Sequence, residues 1–334
     1  MKLRTLTIFI GLFFLSFLIS GCGSRKSVTT LKLAHVLPTT HPVHQGMAHL
    51  AEVLEKESNG QMKVDIYPGG VLGSERECLE SLQIGALDMT KVSSAVLENF
   101  VPSVAVLSLP YLFKNKAHRW RVFDSHIGQK MLLDGEKVWL RGLCFYESGE
   151  RHFYLVNDKV ESPQDLQGLK IRVMRSNISI KAVESLGAQS APISFGELFT
   201  ALAAGVVDGA ENNIPTIHQS KHYEVSKYIC LDGHSAPSDM LLISTHTWNR
   251  LTGQEKQWVN LAVKASVEKQ KLLWEQATQD ALLAFEKQGV TVIRPDKTSF
   301  ERSVEPLYEE MRKNKDPLYE MVLQIRELSD SVNK

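Results

Sequence analysis

Two α/β lobes, with the chain crossing between them more than once, is the fold this sequence predicts. Three observations carry it. From Thr30 onward, short β-branched runs alternate with amphipathic helical runs, the rhythm of mostly parallel sheets with flanking crossover helices. That rhythm lapses after Phe145 and restarts at Ser162. Gln254 to Lys287 contains no Gly or Pro and reads as one long helix, long enough to span both lobes.

Each element has its own signal. Thr30 to Val36 alternates as a strand and is broken by Leu37-Pro38 and His41-Pro42. Met47, Leu50, Ala51 and Leu54 share one helical face within Val43 to Ser58, and Asn59-Gly60 ends that helix. Met62 to Tyr67 alternates again, Pro68-Gly69-Gly70 turns, Ser74 to Ile84 is helical, and Leu87 to Thr90 is a short strand. A helix over Lys116 to Asp134 and a strand over Val138 to Phe145 follow. After Ser162 the order is strand 169–174, helix 177–186, strand 189–193, helix 195–204 and a strand over 206–211. Tyr228 to Leu231, Met240 to Ser244 and Val290 to Ile293 read as strands, and helices close the chain.

The first residues describe export. Met1-Lys2-Leu3-Arg4 is basic, Leu6 to Ile19 is apolar, and Ile19-Ser20-Gly21-Cys22 supplies small residues before a cysteine. That pattern resembles the lipobox of bacterial lipoproteins, which implies cleavage after residue 21 and lipidation of Cys22, with 22–30 as a polar tether. Without residues 1–21 the chain keeps 36 basic against 38 acidic residues, so nothing suggests a nucleic-acid surface. Cys78, Cys144 and Cys230 are odd in number and far apart, which favours buried free thiols over a disulfide framework.

No Gly-x-Ser-x-Gly elbow, phosphate loop, Gly-x-Gly-x-x-Gly or His-Glu-x-x-His occurs, so neither an enzyme nor a cofactor is predicted. His41, His44 and His49 match no standard zinc spacing, and no metal site is assigned. Polar residues gather instead where strands end and helices begin, the ligand-binding position of open α/β sheets. Arg172 sits between Ile171 and Val173 on the first strand of the second lobe; Arg151 follows the strand ending near Phe145. Phe195 opens a helix, and Asn212 and Asn213 follow the strand ending at Glu211. Arginine clamps a carboxylate through two parallel hydrogen bonds. Two arginines, an aromatic ring and amides suit capture of a small anion rather than its conversion.

An ordered series of segments resembles the solute-binding proteins of TRAP (tripartite ATP-independent periplasmic) transporters, the DctP-type family. It runs through Leu33-Ala34-His35-Val36, Pro68-Gly69-Gly70-Val71-Leu72-Gly73-Ser74-Glu75-Arg76, and Gly149-Glu150-Arg151. Asp165-Leu166-Gln167-Gly168-Leu169-Lys170-Ile171-Arg172, Pro192-Ile193-Ser194-Phe195 and Gly205-Val206-Val207-Asp208-Gly209-Ala210-Glu211-Asn212-Asn213 continue it. The resemblance implies a two-lobed periplasmic-binding-protein fold, type II-like, with residues 31–148 plus about 237–276 in lobe I and 149–236 plus about 277–330 in lobe II. It implies that Arg172 salt-bridges a ligand carboxylate, with Asn212 hydrogen-bonding it and Arg151 supporting. It further implies that Phe195 lines the pocket, that Glu75 and Arg76 touch the ligand's far end, and that His35 stands at a pocket position. Asn213 either adds an amide for a hydroxyl-rich ligand or shapes its loop. The Asn212-Asn213-Ile214-Pro215 run leans toward sugar acids such as hexuronates, with C4-dicarboxylates and other organic acids open. Implied partners are the small and large membrane subunits of the permease; the alternative is a sensory binding protein handing its ligand to a receptor kinase. The expected location is extracytoplasmic, at the membrane through Cys22.

Overall fold

The computed structural model describes residues 28–329; the signal segment, Cys22 and most of the tether lie outside them. In chain order the first lobe holds β1 (Thr29–Ala34), α1 (Pro42–Glu57), β2 (Met62–Tyr67), α2 (Glu75–Gln83), β3 (Met89–Ser93), α3 (Ser94–Leu97), α4 (Lys116–Asp124), α5 (His126–Leu133) and β4 (Leu140–Tyr146). The second lobe continues with β5 (Arg151–Leu155), β6 (Lys170–Val173), α6 (Asn177–Ser185), β7 (Gln189–Pro192), α7 (Phe195–Ala203), β8 (Gly209–Asn212), α8 (Ile214–Gln219) and β9 (Tyr228–Ser235). The chain then returns through β10 (Asp239–Ser244), α9 (Thr245–Arg250) and α10 (Gly253–Lys287), and ends with β11 (Thr291–Ile293), α11 (Lys297–Lys313) and α12 (Pro317–Glu327).

The sheets have strand orders β2-β1-β3-β10-β4 and β11-β9-β5-β8-β6-β7. Both are mixed, with two antiparallel pairings in each beside two parallel pairings in the first and three in the second. β10 runs antiparallel to β3 and β4, and β5 antiparallel to β8 and β9. The reason is the crossing. β4 leaves the first sheet at its inner end, so β5 must start at the inner end of the second and run outward. β9 and β10 repeat this in the opposite direction. β5 itself gave no strand signal clear of the preceding Gly149-Glu150.

Two further differences are local. The helical run 116–134 is two helices, because Ser125 is extended (ψ 173°) and caps α5 through Ile127 N. A Cβ at Gly128 would stand 2.2 Å from Phe123 O, so only glycine permits that corner. The tail expected in the second lobe reaches back: Leu307, Met311, Val322 and Ile325 pack with first-lobe residues Val104, Val122 and Phe123. Helix α10 joins the lobes, with Val259, Val263 and Trp274 in the first core and Ala281 and Phe285 in the second. Cys78, Cys144 and Cys230 are free, buried and in separate clusters. Among the described residues no helix is long and apolar enough to cross a membrane.

Candidate functional site

Between the inner ends of the two sheets lies a cavity of about 520 Å³. Leu37, Glu75, Lys91 and Ser93 line it from the first lobe; Arg151, Arg172, Phe195, Asn212 and Asn213 line it from the second. Ser148 and Pro237, one on each crossing segment, complete the wall and are tied together by Ser148 Oγ donating to Pro237 O at 2.7 Å.

Arg172 is a buried charge there with no carboxylate partner among the described residues. Strand β6 puts Ile171 and Val173 into a hydrophobic core and turns Arg172 to the other face, where it is 2 % exposed. Its Nε donates to Ile193 O at 2.8 Å, and its buried Nη1 has no hydrogen-bond partner among the described residues. Burial pulls this guanidinium below its ordinary range, with Tyr154 and Glu211 acting against that. A buried donor on a cation that lacks an acceptor is costly, and a carboxylate supplies one.

Arg151 is in a different state. It pairs with Glu211 through Nε and through Nη2 to Oε1 at 2.9 Å, and Nη2 also reaches Glu211 O at 2.6 Å. Nη1 donates to Asn212 Oδ1 at 2.9 Å, which also accepts from Asn213 N at 2.9 Å. With Oδ1 so occupied, the Asn212 amide nitrogen is the end left for the cavity. Behind Glu211 the charges alternate: His234 Nε2 stands 3.8 Å from Glu211 Oε2, and its Nδ1 lies 2.7 Å from Asp232 Oδ2. Burial alone would lower His234; Asp232 and Glu211 outweigh it and raise it to about 9. Burial pushes Glu211 up, and Arg151 and His234 bring it down to about 2. Arg151 is thus engaged chiefly by Glu211 and, through Nη1, holds Asn212.

The first lobe's wall is built around Lys91, buried on β3. Its ammonium lies 3.1 Å from both Glu75 Oε1 and Asp239 Oδ1, and Glu75 also accepts from Ser93 N at 3.2 Å. Burial works against the charge, yet the two carboxylates raise the lysine overall. Two acids around one base leave this wall with an acidic excess.

The remaining expected residues divide. Phe195 opens α7 on the cavity wall, its ring 5.8 Å from that of His222. Asn213 is the N-cap of α8, its Oδ1 accepting from Thr216 N at 2.9 Å, and it also lines the cavity. Arg76 lines the mouth, largely exposed and paired with Glu80 at 2.9 Å. His35 does not line the cavity. Its Nδ1 accepts from Leu37 N at 3.1 Å and its Nε2 bonds His44 Nδ1 at 3.0 Å, so it braces the loop whose Val36 and Leu37 do. Burial, then Lys91 and His44, lowers it to about 3, a neutral imidazole. No group of three or more His, Cys, Asp or Glu among the described residues is arranged to hold a metal ion.

Across the cavity the lobes touch directly. His41 Nδ1 accepts from Val43 N at 3.2 Å, which leaves Nε2–H for Thr216 Oγ1 at 3.0 Å. Glu98, at the end of α3, accepts from Ser176 Oγ at 2.8 Å and Ile178 N at 3.4 Å, capping α6 of the other lobe. Beside it Asn99 Nδ2 donates to Arg175 O at 2.8 Å. Lys91, Glu211, His234 and Asp239 carry the site's electrostatics and were not singled out by motif. Lys91 did leave a signal, a charge in the middle of the strand Met89-Thr90-Lys91-Val92-Ser93.

Known proteins place this arrangement. Residues 33–315 match the family model "Bacterial extracellular solute-binding protein, family 7" (DctP). The uncharacterised protein YiiZ of Salmonella typhimurium is 36 % identical over 300 residues, 89 % of this chain and 91 % of that protein. A TRAP periplasmic solute-binding protein of Bradyrhizobium sp., solved in complex with α/β-D-galacturonate, superposes with a TM-score of 0.86 at 36 % identity, covering 89 % of this chain and 99 % of that one. One of Xanthobacter autotrophicus with bound β-D-galacturonate gives 0.84 at 37 % identity, with 88 % and 98 % covered. The chain belongs to this DctP family, the extracytoplasmic solute-binding proteins of TRAP transporters.

Proposed function

We propose that this solute-binding protein captures a hexuronate-type sugar acid and delivers it unchanged to the permease's membrane subunits, held at the membrane by lipid on Cys22. The observation that carries the ligand class is the polarity of the cavity. Arg172 offers an unpartnered buried donor on one wall, while the facing wall presents Glu75 and Asp239 around a single lysine. One carboxylate fits the first wall, with Arg172 and the Asn212 amide as its donors and Arg151 holding that amide in place. A second carboxylate would meet the acidic wall, whereas hydroxyls donate to carboxylate oxygens. Asn213 and Phe195 complete the lining, and Arg76 stands at the mouth. The hexuronates bound by the Bradyrhizobium and Xanthobacter proteins have this distribution of groups.

Calorimetric titration tests the reading. D-Galacturonate or D-glucuronate should bind at least tenfold more tightly than a C4-dicarboxylate, and the bound sugar acid should be recovered chemically unchanged. Losing one partner of a buried ion pair costs about 3–5 kcal/mol, which is at least a hundredfold in affinity. Arg172→Ala should therefore nearly abolish binding, and Arg172→Lys should restore little because an ammonium lacks the two-pronged geometry. Full affinity in a folded Arg172→Ala protein, or preference for the dicarboxylate, defeats the proposal. Anchoring is read separately, from the mass of the mature N-terminus.

A further inference from the structure

The first sheet has an inner rim at the cavity and an outer rim at which the chain enters. β1 begins on the outer rim at Thr29, whose Oγ1 donates to Glu255 Oε1 near the start of α10 at 3.0 Å. Because β1, β2 and β3 are mutually parallel and β10 is antiparallel to β3 and β4, the starts of β2, β3 and β4 lie on that rim too.

Exposed apolar side chains gather there. Ile84, before β3, is 78 % exposed, and Trp139, before β4, is 50 % exposed. They belong to one structure. Gln83 Nε2 donates to Val138 O at 3.1 Å, and His246 of α9 bonds Gln83 O at 3.1 Å. The His246 ring stacks on Trp139 at 6.1 Å between centroids, 9° from parallel. Trp139 is held at φ 62°, a left-handed cap position that favours Gly or Asn. A bulky residue adopts that conformation only where its surroundings hold it there. Its N–H reaches Glu136 O and its carbonyl accepts from Thr245 N, both at 3.1 Å, so the backbone holds the indole out toward solvent.

The chain outside the described residues says what lies opposite. Seven residue steps separate Cys22 from Thr29, at most about 25 Å of extended chain. Three strand spacings separate β1 from β4, about 14 Å. A lipid on Cys22 therefore keeps this rim within reach of the bilayer. A half-exposed tryptophan beside an exposed isoleucine suits the membrane–water interface, where one end of the indole is apolar and the other wet. Nearby charges are mixed: Arg141 pairs with Glu136, and Arg250 lies 3.6 Å from Asp88. The attraction is thus interfacial rather than a call for anionic lipid.

We infer that the outer rim of the first lobe, through Trp139 and Ile84, rests on the lipid surface to which Cys22 tethers the chain. This rests on the anchoring reading above. The lipidated protein is reconstituted in phosphatidylcholine vesicles, either ordinary or brominated near the headgroup. Trp139 is the most exposed of the five tryptophans, so bromine should quench the emission and Trp139→Phe should remove at least half of that quenching. Ile84→Asp should weaken it, and both variants should bind sugar acid like wild type. Equal emission in the two vesicle types overturns the inference. So does a Trp139 shielded from aqueous iodide but untouched by bromine, since a protein would then cover the rim. If mass spectrometry finds Cys22 unmodified, a maleimide lipid coupled to it repeats the test, because the other three cysteines are buried. The anchor and the rim thus fail independently.

Discussion

At the scale of single residues the site is a problem in placing charge where water cannot reach. His234 shows the consequence most directly. Its folded-state value of about 9 lies above the ordinary 6.5, so the stability it lends is complete below pH 6.5 and is lost as pH rises through 9. Glu211 has the opposite sign: its contribution is present above pH 4.5 and lost as pH falls toward 2. A shift of the size seen at His234 corresponds to roughly 3 kcal/mol. Thermal unfolding of the wild type should therefore weaken between pH 7 and 9.5. His234→Gln should start less stable, with most of that pH slope gone. An unchanged slope would place the titration elsewhere. The sequence made Arg172, Asn212 and Phe195 legible as residues at strand ends and helix starts. Glu211 was hidden because a carboxylate next to Asn212 reads as one more polar residue until Arg151, sixty positions earlier, is seen beside it. His35 misled for the converse reason. A strand end can point into the loop that follows as well as into the cavity.

Among the elements, the contact of α1 with α10 carries the most. Gly46 lets the helices approach so closely that a Cβ there would lie 2.8 Å from Gln270 Cβ. Gln270 in turn brackets the first crossing segment, its Oε1 accepting from Glu147 N and its Nε2 donating to Glu147 O, both at 2.9 Å. Glu147 is also held by Arg119 and by Trp120 Nε1 at 2.7 Å. Alanine at 46 would regain about 1 kcal/mol of helix propensity, so Gly46→Val is the cleaner probe. Overpacking there should cost about 1–3 kcal/mol in denaturant unfolding. Retained stability would show that the helices can part freely. Long periodic elements such as α1 and α10 were legible because apolar spacing declares them. The corner at Ser125 was not, since it depends on Gly128 meeting the Phe123 carbonyl, a contact no periodicity records.

For the molecule as a whole, capture depends on how the lobes hold together around the cavity. Glu98 is buried and receives its hydrogen bonds from the other lobe, and burial raises its carboxyl above the ordinary range, against those bonds. Its contacts exist only while the lobes are together at that edge. Glu98→Ala should lower sugar-acid affinity about tenfold, the scale of one hydrogen bond to a charged group. Small-angle scattering should show that the variant compacts less on ligand addition. Affinity equal to wild type would mean that closure does not draw on this edge. The two-lobed plan was legible from the rhythm of elements and its lapse after Phe145. The antiparallel sense of β5 and β10 was not, because direction in a sheet follows from where a strand enters rather than from what it is made of.

That entry order has a consequence for how the chain is born. In the first sheet β10 lies between β3 and β4, so β4 has no place to dock until residue 244 has been made and exported. Until β10 arrives, a first sheet forming outside the membrane exposes the edge of β3, a template for wrong pairing. Pairings so distant in sequence also fold slowly. A chain ending at residue 236 should therefore collapse without native stability and aggregate. One extended through α10 should refold cooperatively, as stopped-flow fluorescence and light scattering would register.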